Sequence, residues 1–405
     1  YRCGQCMDEY RDALSLELLS ARLQAERATG QGIFSTLDAL ASELQAQGMY
    51  AEAEPMYREA LEGLRETLGN QHPDTLSSIN NLGALFLQGK GDLAASEPLL
   101  REALEGTRET LGNRHPSTLI SVNNLGELFK GKGDLDAAEP LLREAVEGLR
   151  ETLGNRHPDM LASMNNLGLL LHAKGDLAAA EPLLSEALEV TRKTLGNRHP
   201  DTLSSINNLG SLWKAKGDLA DAEQLYCEAL EGQRETLGNR HPDTLSSINN
   251  LGALLLQAKG DLDAAEPLLR EAVEGLRETL GNRHLDTLNS VNNLGLLMKD
   301  KDDLAAAEPL LREALEVKRE TLGNRHPDTL LSINNLGSLL QAKGDLAAAE
   351  LLYREALEVR RETLGSRHPS TLNSIKNLCV LLREQGDLRD LAAAGPLLPR
   401  RSRSG

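Results

Sequence analysis

Residues His199–Arg240 read HPDTLSSINNLGSLWKAKGDLADAEQLYCEALEGQRETLGNR, and close copies of this stretch fill most of the chain. The copies start at His72, His115, His157, His199, His241, His284, His326 and His368. Their spacing is 42 residues, with one extra residue after Leu85 and another after Leu254. A fixed period of this length marks a repeat solenoid, in which each unit buries its apolar face only against its neighbours.

Within the unit the residues dictate two helices. Pro200 suits a first helical position, where a missing N–H costs nothing, and it pushes His199 out of helical geometry into a cap. Asp201 follows in the first turn, where the helix dipole favours a negative charge. Ile206, Leu209, Gly210 and Trp213 recur at helical spacing, and Lys216-Gly217 ends the segment. After Asp218 a second apolar stripe runs through Ala222, Leu225, Tyr226, Ala229 and Leu230, with its charged residues mostly on the opposite face. The unit is therefore an antiparallel helical hairpin. Gly210 and Ala222 are small where the two helices must approach, and Cys379 takes the glycine's place in the last unit, a buried structural position.

The spacing of Leu209-Gly210, Trp213, Gly217, Ala222, Tyr226 and Ala229 resembles the tetratricopeptide repeat (TPR). The Leu-Gly-x-x-His-Pro link and the longer unit resemble the 42-residue variety of kinesin light chains and nephrocystin-type proteins. The resemblance covers about nine units, departing from the family in using Leu where aromatic residues are usual. It implies an all-α fold, a right-handed α-solenoid of about nine stacked helix-turn-helix units. Residues 1–32 read as a partial N-terminal unit or capping helix, 33–398 as the solenoid with a degenerate last unit, and 399–405 as a disordered basic tail. The long heptad coiled coil of kinesin light chains is not found in these residues.

Composition narrows the function. A net charge of −17 argues against a general nucleic-acid footprint. Four scattered cysteines do not make a disulfide framework and favour a reducing, cytoplasmic setting. Cys3-x-x-Cys6 lacks a second ligand pair, so free thiols are expected there rather than zinc. No apolar run reaches the roughly 20 residues of a membrane span. No secretory leader is read, and a chain starting at Tyr1 is expected to be a fragment. The repeated histidines have no second ligand one helical turn away, and no nucleophile, base and orienter come together. Neither catalysis nor a cofactor or metal is expected.

A ligand is expected on the first helices. On a wheel at about 100° per residue, Ser204, Asn208, Ser211 and Ala215 lie about 140–200° from Ile206, opposite the core. In the family this face lines the concave groove. The equivalents of Asn208 are Asn81, Asn124, Asn166, Asn250, Asn293, Asn335 and Asn377, a ladder of carboxamides that opposes helix propensity unit after unit. Such side chains can donate to and accept from a peptide backbone without reading its side chains. In related TPR proteins, equivalent asparagines hold extended peptides. The competing reading has Asn208 bond the next unit and only set the superhelix, as is expected of the Asn207 series. Lys130, Lys214 and Lys299 recur one turn along, with Arg383 and His172 in the same place. Together with the Lys216 series they predict a basic rim and a partner carrying acidic residues, unless the Lys216 series only complements the negative helix ends. Variation at the Ser204 and Ser211 places, as in Ile120, Leu331, Glu127 and Leu169, favours binding over pure scaffolding.

The reading is a non-catalytic adaptor for extended peptide segments. The alternatives are a self-associating structural stack, or the sensor arm of a larger enzyme or nucleotide switch. The unit at His284 breaks two rules, with Leu285 for proline and Lys301-Asp302-Asp303 for Lys-Gly-Asp, and is predicted to be the weakest junction.

Overall fold

A computed structural model describes residues 5–29 and 32–385. Among them are eighteen α-helices, one π-helical turn and no strand. Within the N-terminal stretch 1–32 lies helix α1 (Gln5–Thr29). Nine first helices follow: α2 (Ile33–Ala46), α4 (Pro73–Gln88), α6 (Pro116–Gly131), α8 (Pro158–Ala173), α10 (Pro200–Lys216), α12 (Pro242–Leu254), α14 (Leu285–Asp300), α16 (Pro327–Ala342) and α18 (Pro369–Gln385). Between them lie the second helices α3 (Tyr50–Leu68), α5 (Leu93–Leu111), α7 (Leu135–Leu153), α9 (Leu177–Leu195), α11 (Leu219–Thr236), α13 (Leu262–Thr279), α15 (Leu304–Leu322) and α17 (Leu346–Leu364). The chain from residue 386, including the expected basic tail, and the side chains of Cys3 and Cys6 fall outside the described residues.

The chain divides into two compact bodies, one running to Gly260 with Glu274–His284 added, the other comprising Asp261–Val273 and Leu285 onward. In each, every helix packs on the next in sequence, and successive first helices also touch, as α4 does α6 and α14 does α16. No two successive second helices come as close. Within each body the first helices are therefore the side on which successive units meet most closely.

The unit's punctuation behaves as its chemistry requires. Helix α10 starts at Pro200, and His199 sits at φ −69°, ψ 139°, its Nδ1 accepting from the Asp201 N–H at 3.2 Å. Gly217 closes the helix at φ 91°, a conformation costly for any residue with a Cβ. The hairpin closes on Gly210, where a Cβ would fall 2.9 Å from Tyr226 Cε1. Cys379, in the corresponding place of the last unit, is a free thiol and only half-buried, less enclosed than expected.

The two extra residues are absorbed differently. After Leu254 the chain forms a π-turn over Leu255–Lys259, the usual way a helix takes in one residue. After Leu85 the helix stays α-helical to Gln88 and the connecting turn lengthens, closed by the Asp92 N–H on the Phe86 carbonyl at 2.9 Å. At the irregular junction Asp302 adopts φ 64°, the one non-glycine with positive φ among the described residues. Its turn still forms, with Asp302 N–H on Lys299 O and Asp303 N–H on Met298 O, both at 2.9 Å.

Lys–Glu clamps between units are a feature that reading one unit at a time does not reveal. Lys132 pairs with Glu97, Lys174 with Glu139 and Asp136, Lys216 with Glu181, and Lys343 with Glu308. Each joins the end of a first helix to the second helix of the unit before. The lysine and its Arg101 neighbour hold the Glu97 carboxyl below the usual range, and Lys174 with Arg143 do the same for Glu139.

Candidate functional site

The ladder Asn81, Asn124, Asn166, Asn208, Asn250, Asn293, Asn335 and Asn377 lies on first helices, every member half-buried. Three of its amides reach back across a unit boundary. Asn124 Nδ2 donates to Asn80 Oδ1 at 3.3 Å, Asn166 Nδ2 to Asn123 Oδ1 at 3.3 Å, and Asn335 Nδ2 to Asn292 Oδ1 at 3.1 Å. Asn123 Nδ2 in turn donates to Asn124 Oδ1 at 3.3 Å. The ladder thus fixes neighbouring units against each other while its side chains stay partly open to solvent. In the Asn207 series Asn80, Asn123, Asn165 and Asn292 are buried, while Asn207, Asn249 and Asn334 are half-buried like the ladder. Asn165 Nδ2 donates to Ser205 Oγ at 2.8 Å, and Asn207 Nδ2 to Ser247 Oγ, which donates on to Gln233 Oε1.

Ser211 has a different role from the one its wheel position suggested. It hydrogen-bonds the phenol of Tyr226, whose pKa burial pushes up to about 12 against that bond. Ser42 does the same for Tyr57, at 2.9 Å between oxygens. Serine occupies this place where the second helix carries tyrosine, at Tyr57, Tyr226 and Tyr353. Ala84, Glu127, Leu169, Ala253 and Leu296 stand there where it carries leucine. The variation that favoured ligand contact at this place therefore follows the hairpin's own packing. Ser204 is half-buried, and its equivalent Asn289 accepts from the ammonium of Lys318 at 2.8 Å.

The expected basic rim is mostly neutralised. Lys130 pairs with Glu127 at 2.6 Å, and Lys299 lies 3.3 Å from Asp300 and donates to Ser338 at 3.1 Å. Lys132, Lys174, Lys216 and Lys343 of the Lys216 series are taken up by the clamps. Lys214 makes no ion pair among the described residues, and burial lowers its pKa. The same cause lowers that of His172.

Two further cations went unnoticed in the sequence. Lys318 on α15 is 1% exposed and Arg360 on α17 is 7% exposed. Neither has a carboxylate within ion-pair distance among the described residues. Arg360 donates to Ser374 Oγ at 2.5 Å, and burial lowers the pKa of both. No group of three or more His, Cys, Asp or Glu among the described residues could hold a metal.

Family models described as tetratricopeptide repeat match residues 32–105, 84–151, 159–235, 214–278, 243–320, 285–362 and 328–390, with a second such model on 123–194. The chain belongs to the tetratricopeptide-repeat family. Similar solved structures include the nearly identical TPR-like repeats of a Podosopora anserina putative kinesin light chain, at 29% identity over 51% of this chain and 97% of that one, TM-score 0.40. BtubC (BKLC) from P. vanneervenii is 24% identical over 58% of this chain and 94% of its own, TM-score 0.44. Rap protein, complexed with Competence and Sporulation Factor, shares the fold at 13% identity, covering 89% of this TPR chain and 99% of its own, TM-score 0.58. No curated protein matches the sequence. No helix among the described residues is long and apolar enough to cross a membrane.

Proposed function

We propose that this TPR array is a non-catalytic, cytoplasmic adaptor that holds an extended peptide segment of a partner protein along the wall of first helices. The supporting observation is the half-exposed carboxamide ladder. Three of its amides are fixed by the preceding unit, so it presents pre-oriented polar groups at one-unit intervals. A host with pre-set hydrogen-bonding groups loses little entropy on binding. An extended chain, whose own backbone groups repeat regularly, is the matching guest. The uncompensated ammonium of Lys214 favours a guest with an acidic residue near the fifth unit.

Affinity capture tests this. Wild-type protein should retain partners that the Asn166→Ala, Asn208→Ala, Asn250→Ala variant loses, with both proteins equally helical. An unchanged set of captured proteins refutes the ladder as the contact surface.

A further inference from the structure

The first body contains an interface between distant parts of the same solenoid. Helix α1 packs on α11, His241 Nε2 donates to the Ala46 carbonyl at 3.0 Å, and His284 Nε2 donates to the Gln88 carbonyl at 3.1 Å. Gly48 lies so close to this seam that a Cβ there would fall 2.5 Å from Pro242 Cδ. The start of the sixth unit thus sits on the end of α2, and the start of the seventh on the end of α4. The dipoles run head to tail across the joint, the positive end of α12 meeting the negative end of α2.

The residues at the seam are not special. His241–Asn250 reads HPDTLSSINN, identical to His199–Asn208. Both histidines cap their helices through Nδ1, accepting from Asp243 N–H and Asp201 N–H. The ring therefore carries its proton on Nε2, as donation to a carbonyl requires. Yet the His241 side chain is 6% exposed and that of His199 is 40% exposed. Only what lies across from them differs. His72, His115 and His157 share the cap of His199, and their Nε2 atoms have no partner among the described residues.

The complementary edge recurs as well. Ala46 stands two residues before the left-handed Gly48, as Ala215 stands before Gly217. Ala215 is exposed, and its carbonyl accepts no hydrogen bond among the described residues.

We propose that the edge formed by His72, His115, His157 and His199 docks on first-helix C-terminal ends that the seam leaves uncovered in a second copy of this chain, Ala215 among them, repeating between molecules the seam that exists within one. The donor and acceptor edges are different surfaces, so the contact is heterologous. It adds copies head to tail rather than closing a two-fold dimer.

Sedimentation velocity over a wide concentration range tests it. The wild-type mass should rise with concentration above the 44.0 kDa monomer. The His72→Asn, His115→Asn, His157→Asn, His199→Asn variant keeps a good capping side chain but loses the outer donor, and should stay monomeric. Ala215→Glu, on an exposed helix end outside the core, should weaken association independently of any effect on the caps. A wild-type chain that is monomeric throughout overturns the proposal, and so does association that survives both sets of changes.

Discussion

Replacing Lys318 by leucine should stabilise the protein, although it removes a hydrogen bond. Lys318 is 1% exposed, and its ammonium donates to the neutral Asn289 Oδ1 at 2.8 Å. A buried charge without a counter-ion carries an effective penalty of several kcal/mol. A charged hydrogen bond returns about 1.5–3 kcal/mol. Leucine also freezes less rotamer entropy than lysine, by about 1 kcal/mol. The same place in other units holds Leu149 and Leu276, each 0% exposed, so the site accepts an isobutyl group. The net expectation is about 1–3 kcal/mol of added stability. Repeat arrays need not unfold in one step, so the local reading is hydrogen exchange of the α15 and α16 amides. Exchange should slow about tenfold for each 1.4 kcal/mol. The gain should depend on pH. Burial lowers the lysine pKa, so the wild-type penalty is full below that lowered value. It fades as pH rises toward the unfolded value of about 10.4, and the two proteins converge there. Unchanged or faster exchange in Lys318→Leu at neutral pH would refute the reasoning.

Acid should loosen the clamps. Glu97 and Glu139 have depressed folded-state pKa values, so their contribution is present above about pH 4.3 and is lost as pH falls through the lowered values. Glu97→Gln should cost roughly 0.5 kcal/mol in low salt, less in high salt, and flatten the acid limb of a denaturation curve. Asp302→Gly should relieve the φ 64° backbone by up to about 1 kcal/mol, and the wild-type turn Lys301–Asp303 should exchange faster than Lys216–Asp218. Equal protection of the two turns would remove Asp302 as a weak point.

Much of the hairpin was legible because its signals are local. Pro200, Asp201 and Gly217 each impose a backbone state by their own covalent structure, and the helix ends follow. The unit pairings were less legible. Lys132 meets Glu97 and Asn124 meets Asn80 because a small rotation between units brings them together, and a period does not state that rotation. The seam is further removed, since His241 and Ala46 are 195 residues apart and meet only through the stacking of the units between them. One signal was present and overlooked: serine at the Ser211 place occurs with tyrosine on the second helix. Comparing pairs of positions across units, rather than single positions, reveals it. Lys318 and Arg360 escaped notice because a cation near the end of a charged helix looks solvated until the next unit covers it.

The proposed function requires the face of first helices to be the surface that receives a partner. A photo-cross-linking amino acid placed at Asn208, and separately at the exposed Cys227 on α11, tests this most directly. In the presence of a captured partner the adduct should form from position 208 and map to a single extended segment. Adducts that form from position 227 and not from 208 would contradict it.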